Sequence, residues 1–189
     1  MDDAFDFGFV PDCGSIVDMI YGSTKQKPKF LGKPNPDMIN AMYHGETVFT
    51  AICDAVCRFG LTQYDDIIEL FIRAGADVNT SSQWGMNALH WAMKFSNEEL
   101  EKKFIALGTN INAKDNNGNT PLHWAMENCH YWPAALLKAG ADVNAVNNDG
   151  ETPFDWTQGG WTPAHTRQFR KALKQMGALS GKELKRGGK

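Results

Sequence analysis

The sequence predicts an all-α solenoid in which short helix-turn-helix units are stacked and joined by β-turn fingers. Two internal repetitions predict it. One series comprises "NALHWA" from Asn87, "TPLHWA" from Thr120 and "TPFDWT" from Thr152, at spacings of 33 and 32 residues. The other comprises "RAGADVN" (73–79), "ALGTNIN" (106–112) and "KAGADVN" (138–144), whose glycines Gly75, Gly108 and Gly140 keep the same two spacings. Two independent strings that share one period mark a repeat architecture. Working backwards, "ETVFTAI" (46–52) fills the first series' slot 40 residues before Asn87.

The residue chemistry of one unit justifies its elements in order. Thr120 is a helix N-cap with Pro121 at the first turn, so one orphan N–H is satisfied and another is removed. Leu122, Trp124, Ala125 and Met126 give that first helix an apolar side. A second helix is expected over about 133–139, with Leu136 and Leu137 turned inward and Gly140 as a left-handed stop. Asn147, Asn148, Asp149 and Gly150 fit a β-turn. In the preceding unit "SNEE" (96–99) reads as a capping box that opens the second helix. No such unit covers its own apolar faces, so neighbours must stack.

This pattern resembles the ankyrin repeat, most fully in "DNNGNTPLHWA" (115–125) followed by "LLKAGADVNA" (136–145). The resemblance spans about 42–178 and divides into units at about 42–79, 80–112, 113–144 and 145–178. Residues 1–41 are then an N-terminal cap or arm, and 179–189 a basic flexible tail. The resemblance implies that His90 and His123 bond backbone groups and tie neighbouring repeats together, with no catalytic or metal role. Trp91, Trp124 and Trp156 are expected as large apolar residues packed between helices.

In that family the binding residues lie at the turn tips and on the palm side of each first helix. Carried onto this chain, they are Tyr43, His44, Glu46 and Asp54 in the first unit, and Gln83, Trp84, Met86, Lys94 and Phe95 in the second. The third unit offers Asn116, Asn117, Asn119, Glu127 and Asn128, and the fourth Asn148, Asp149 and Glu151. Tyr43, Trp84, Met86 and Phe95 make the N-terminal half aromatic and apolar, and Trp84 precedes Gly85, the turn glycine matching Gly118 and Gly150. Trp84 either stands out at a fingertip or folds against the first unit's long loop (57–64). Glu46, Asp54, Glu127, Asp149 and Glu151 against Lys94 leave the palm at -4, which favours a protein partner with a basic surface.

Outside the repeat, "NPDMINAMY" (35–43) reads as a helix, and "DDAFDFGF" (2–9) as a coil or a docking arm. "QGGW" (158–161) interrupts the fourth unit, after which Thr162-Pro163 starts a helix. Phe169, Ala172, Leu173 and Met176 share one face of it, and Arg167, Arg170, Lys171 and Lys174 take the others. Residues 161–189 hold eight Lys and Arg against Glu183 alone, a local charge of +7, so the remainder of this -3 chain carries -10.

A length of 189 residues, 42% of them hydrophobic, suits one ordinary soluble domain. The acidic N-terminus lacks the basic start and long apolar run of a secretory signal, and no run approaches a membrane span. Cys13, Cys53, Cys57 and Cys129 fit no disulfide framework or zinc spacing and are expected as packed free thiols. These features imply a cytoplasmic protein, monomeric when unbound, without cofactor or metal. No phosphate loop, nucleophile elbow or zinc signature points to an enzyme. The expected function is a non-catalytic protein-protein interaction module, in a narrower form a small inhibitor, immunity or effector-type protein. The alternative is a nucleic-acid-associated adaptor using the basic C-terminal helix and tail, although that patch is short and has no base-reading motif.

Overall fold

The computed structural model describes residues 40, 42–43, 46–59, 65–128, 131–157 and 163–187, with backbone alone at 42, 43, 46, 58, 59, 65–67, 70, 128, 163 and 165. An antiparallel pair, β1 (Met42–Tyr43) and β2 (Glu46–Thr47), leads into α1 (Val48–Phe59) and α2 (Asp65–Arg73). There follow α3 (Ala88–Lys94) with α4 (Glu98–Ala106), and α5 (Pro121–Asn128) with α6 (Ala134–Lys138). The chain ends in α7 (Pro153–Trp156), α8 (Pro163–Gln175) and α9 (Gly181–Gly187). First helices pack in chain order, α1 on α3, α3 on α5 and α5 on α7, and α4 packs on α6 behind them. One apolar core runs along the stack, from Phe49 and Ile52 through Leu89, Phe104, Leu122 and Leu136 to Leu173. No helix among the described residues is long and apolar enough to cross a membrane.

The start of each first helix is built the same way four times. A cap residue is followed three positions later by a side chain that accepts the cap's own backbone N–H. The pairs are Thr47 with Thr50 Oγ1, Asn87 with His90 Nδ1 and Thr120 with His123 Nδ1, each at 3.1 Å, and Thr152 with Asp155 Oδ2 at 3.0 Å. This is a capping box in which imidazole, hydroxyl or carboxylate replaces the usual Glu. The side chain also reaches the next unit. His90 Nε2 meets the Asn119 carbonyl at 3.0 Å and His123 Nε2 the Glu151 carbonyl at 3.3 Å. Asp155 Oδ2 inverts the polarity and accepts Gly181 N–H at 2.7 Å. Thr50 is too short for that reach and returns its hydroxyl to the Thr47 carbonyl.

A second set of ties runs behind the second helices. Asn40, Asn79, Asn112 and Asn144 each accept a backbone N–H of the following unit, from Asp77, Asn110, Asp142 and Leu179 at 2.7–2.8 Å. Three of them, Asn40, Asn112 and Asn144, also donate to a helix-stop glycine carbonyl, that of Gly75, Gly140 and Gly177. Asn40 therefore occupies the register of a repeat, which the sequence reading did not assign. The helix expected over 35–43 also fails at its end: Met42 and Tyr43 are in β1, because Asn40 enters the stack as the later asparagines do.

Four further expectations are corrected. Ser96 does not cap α4; it takes a left-handed φ of 56°, and Asn97 is the cap, accepting Leu100 N–H at 3.0 Å. Met176 is 47% exposed, since it lies past the end of α8 beside the stop Gly177 rather than on the packed face. Residues 181–187, read as flexible tail, are the helix α9. Its Gly181 is buried so close to Gly150 that a Cβ would strike the Gly150 carbonyl oxygen, and Thr152 Oγ1 donates to the Leu179 carbonyl at 2.7 Å. Arg170 and Lys174 do not face solvent freely either, for their cationic groups lie 4.0 and 4.5 Å from the Phe154 ring centroid. The coil or arm over 2–9 and the interruption at 158–161 lie outside the described residues.

A buried carboxylate completes the second-helix layer. Pro133 precedes α6 and supplies no side-chain cap, so Glu101 on α4 reaches across and accepts Leu136 N–H at 2.9 Å. Burial pushes the Glu101 carboxyl above its ordinary value.

Burial likewise holds the His90 imidazole down, to about 4, and lowers that of His123. A depressed histidine stabilises the fold above its ordinary value of 6.5. As pH falls from there, the unfolded chain takes up protons that the folded chain refuses, and stability is lost. Chemical denaturation should therefore show stability falling between pH 6.5 and about 4. In His123→Ala the pH dependence over this window should be shallower, and stability at pH 7 lower by about 1–3 kcal/mol.

Candidate functional site

The fingers are five-residue loops of one design, Ser82–Met86, Asp115–Asn119 and Asn147–Glu151. A turn bond closes each, from Gly85 N–H to the Ser82 carbonyl (2.8 Å), Gly118 to Asp115 (2.9 Å) and Gly150 to Asn147 (3.1 Å). Inside each loop the first residue's side chain accepts two backbone N–H groups. Ser82 Oγ takes those of Trp84 and Met86, Asp115 Oδ1 those of Asn117 and Asn119, and Asn147 Oδ1 those of Asp149 and Glu151.

Neighbouring fingers are also bonded to each other. Asn116 N–H donates to the Trp84 carbonyl and its Nδ2 to the Gln83 carbonyl, while Asn148 N–H donates to Asn117 and its Nδ2 to Asn116. Gly85 sits at φ +75°, and a Cβ there would come within 2.6 Å of Asn116 Oδ1, so glycine is required both by the turn and by the close approach of the next finger. The tips are thus one hydrogen-bonded ladder rather than separate loops.

On the palm an aromatic strip crosses the stack. Trp84 stands edge-on to Trp91 at 5.9 Å, and Trp91 stacks with Phe95 at 6.2 Å and 7° between planes. Lys94 Nζ lies over Trp124 (4.8 Å), Trp91 (5.3 Å) and Phe95 (5.9 Å), and Trp124 meets Trp156 edge-on at 5.7 Å. The strip follows from helix geometry: Trp91, Lys94 and Phe95 are spaced i, i+3 and i+4, and so share a face. The expectation that all three tryptophans pack between helices holds for Trp91, which is 2% exposed, but Trp124 and Trp156 are half-buried at the palm. Their indole N–H groups bind carboxylates, Trp124 to Asp115 Oδ2 at 3.0 Å and Trp156 to Glu151 Oε2 at 2.8 Å.

Of the residues named from sequence, Trp84 is 48% exposed, and Gln83, Asn116, Asn117, Glu127, Asn148, Asp149 and Glu151 are exposed as well. Asp54, Lys94 and Phe95 are half-buried. Trp84 and Phe95 are linked through Trp91, not directly. Met86 is only 3% exposed and Asn119 is buried, so neither presents a side chain to a partner: Met86 closes the second finger onto the core, and Asn119 is bound to Asp115 and Asn147. Tyr43 and Glu46 are seen as backbone of β1 and β2, Asn128 as backbone of α5, and His44 lies outside the described residues. Cys53 and Cys57 are buried free thiols, with burial pushing the Cys53 thiol far up; Cys13 and Cys129 are outside the described residues. No group of three or more His, Cys, Asp or Glu that could hold a metal ion occurs among the described residues.

One polar group in the strip lacks a partner. Trp91 Nε1 is buried without an acceptor among the described residues. The register of the fingers explains it. Asp115 uses one oxygen for its loop and the other for the indole nine residues on, whereas the equivalent Ser82 has a single oxygen, which its loop already uses. An unmet buried donor costs about 1–3 kcal/mol. Ser82→Asp should therefore raise stability by about 1 kcal/mol, measured by thermal and denaturant unfolding. An unchanged or lower stability would refute this account of the finger.

A family model described as ankyrin repeats (3 copies) matches residues 52–147, just over half of the chain. No curated protein matches it.

Proposed function

The chain belongs to the ankyrin-repeat family, and from that premise we propose that it is a non-catalytic module that binds another protein through its palm and fingertips. The observation that carries the reading is Trp84. Its indole is half in solvent, while its carbonyl is bonded to the next finger and its ring rests edge-on against Trp91. A large aromatic carried at the surface on an ordered backbone is a common kind of interface hot spot. Exposed Glu127, Asp149 and Glu151 beyond it favour a partner with a basic surface. A small inhibitor, immunity or effector-type protein is the narrower form of this proposal. The side chains that invite a catalytic reading, His90 and His123, are bonded within the stack on both ring nitrogens.

The nucleic-acid alternative loses support from α8, where Arg170 and Lys174 are engaged with Phe154 and Lys174 also pairs with Glu183 at 2.7 Å. Arg167, Lys171, Lys182, Lys185 and Arg186 remain exposed.

Affinity capture with wild type and Trp84→Ala tests the proposal. A partner held by the wild type should bind Trp84→Ala weaker by about 2 kcal/mol or more, with little change in melting temperature. Neutralising Asp149 and Glu151 together should slow association and flatten its salt dependence. Binding indifferent to Trp84 but abolished by removing the α9 cations would contradict the palm reading.

A further inference from the structure

The indole N–H groups of Trp91, Trp124 and Trp156 are treated differently. Those of Trp124 and Trp156 each end on a carboxylate oxygen of the chain itself, Asp115 Oδ2 and Glu151 Oε2. That of Trp91, at the same position of the preceding unit, ends on nothing among the described residues, since Ser82 stands where Asp115 stands. Beside it lies Lys94, whose ammonium is over the rings of Trp91, Phe95 and Trp124 and makes no ion pair with a described residue. Above it is Trp84, held by its backbone but with its ring in edge contact only and half in solvent.

We infer that the second unit is a socket for a single carboxylate brought by the partner protein, an Asp or Glu side chain or a chain terminus, received by Trp91 N–H and Lys94 when the Trp84 ring turns aside. The inference rests on the palm being the binding face and names the chemistry read there. A carboxylate is the matching group because the third and fourth units satisfy the same indole donor with one. A cation beside a buried donor adds the charge-assisted bond that a neutral acceptor would lack. The socket takes one acid only, because Asp54 and Glu127 occupy the Lys94 position of the units on either side. The partner segment is therefore one acidic residue beside an apolar one that packs on Trp84 and Phe95, with basic residues beyond it toward Glu127 and Glu151. That arrangement gives binding a direction along the stack.

The probe is a random linear peptide library displayed on phage and selected on the wild-type protein. Selected peptides, made synthetically, are then measured against wild type, Ser82→Asp, Lys94→Gln and Trp84→Ala. Expected are peptides sharing one Asp, Glu or C-terminal carboxylate at a fixed position next to an apolar residue. Changing that acid to its amide should weaken binding at least tenfold. Ser82→Asp, which supplies the oxygen internally, should cost at least tenfold with no loss of melting temperature, and Lys94→Gln should cost a similar factor. In the wild type the Trp91 indole N–H resonance should shift downfield on binding. Peptides that need Trp84 but carry no fixed acid, or that bind Ser82→Asp and Lys94→Gln undiminished, overturn the socket and leave the palm reading standing. Peptides indifferent to Trp84→Ala, or a selection that enriches none, overturn the socket and count against the palm as well.

Discussion

Two backbone groups left over where one unit meets the next govern the stack: the cap N–H at the start of a first helix, and a carbonyl at the end of the following finger. One side chain, three residues after the cap, answers both. In the middle of the chain it is an imidazole, because only a ring with a nitrogen at each end can accept from Asn87 or Thr120 and donate to Asn119 or Glu151. The ring is buried and kept neutral, so the tie is made without a buried charge and its large desolvation cost. Removing it would leave a donor and an acceptor unmet in the core, a heavier loss than the bond alone.

Once these ties set the spacing of the first helices, the rest of the palm follows. The residue after each imidazole or its equivalent Asp155 is a tryptophan, and equal spacing turns Trp91, Trp124 and Trp156 into a strip on the palm side. The same spacing brings the finger loops close enough for Asn116 and Asn148 to bond the loops before them, which only glycine at 85 and 118 permits. The backbone of the proposed binding face is consequently fixed before any partner arrives. Such a face loses less entropy on association than a loop that must first be ordered.

Much of this was legible in the sequence because the repeat is written in local chemistry. Thr120-Pro121, Gly140 and the Asn147–Gly150 turn announce their elements, and the shared spacing of two strings announces the stacking. What escaped depends on which face a residue shares or on contacts between units. Trp91 is in the core as expected, yet three- and four-residue spacing also puts it on the same side of α3 as Lys94 and Phe95, while Trp124 and Trp156 lie only half-buried at the palm. Met86 looked like a fingertip residue from its neighbours, but the loop needs its N–H on Ser82 and its side chain in the core. Asn40 gave no signal, because its role is visible only against Asp77 and Gly75, two helices later. The C-terminal segment looked like a solvated tail by composition, yet the end of a stack must be covered, and small Gly181 allows the backbone to approach Gly150. Arg170 and Lys174 read as surface charges, whereas the ring of Phe154 at that end, only 6% exposed, recruits them.

His123 is a neutral cross-tie with a defined tautomer: Nδ1 bare, accepting Thr120 N–H, and Nε2 protonated, donating to the Glu151 carbonyl. Long-range proton-nitrogen NMR of the histidine rings, on protein labelled with nitrogen-15, reads this directly. At pH 7 the His123 ring should be the Nε2–H tautomer and stay neutral below the ordinary histidine value, for as long as the stack is folded. A ring protonated on Nδ1, or one that titrates freely near pH 6.5 in the folded protein, would contradict it.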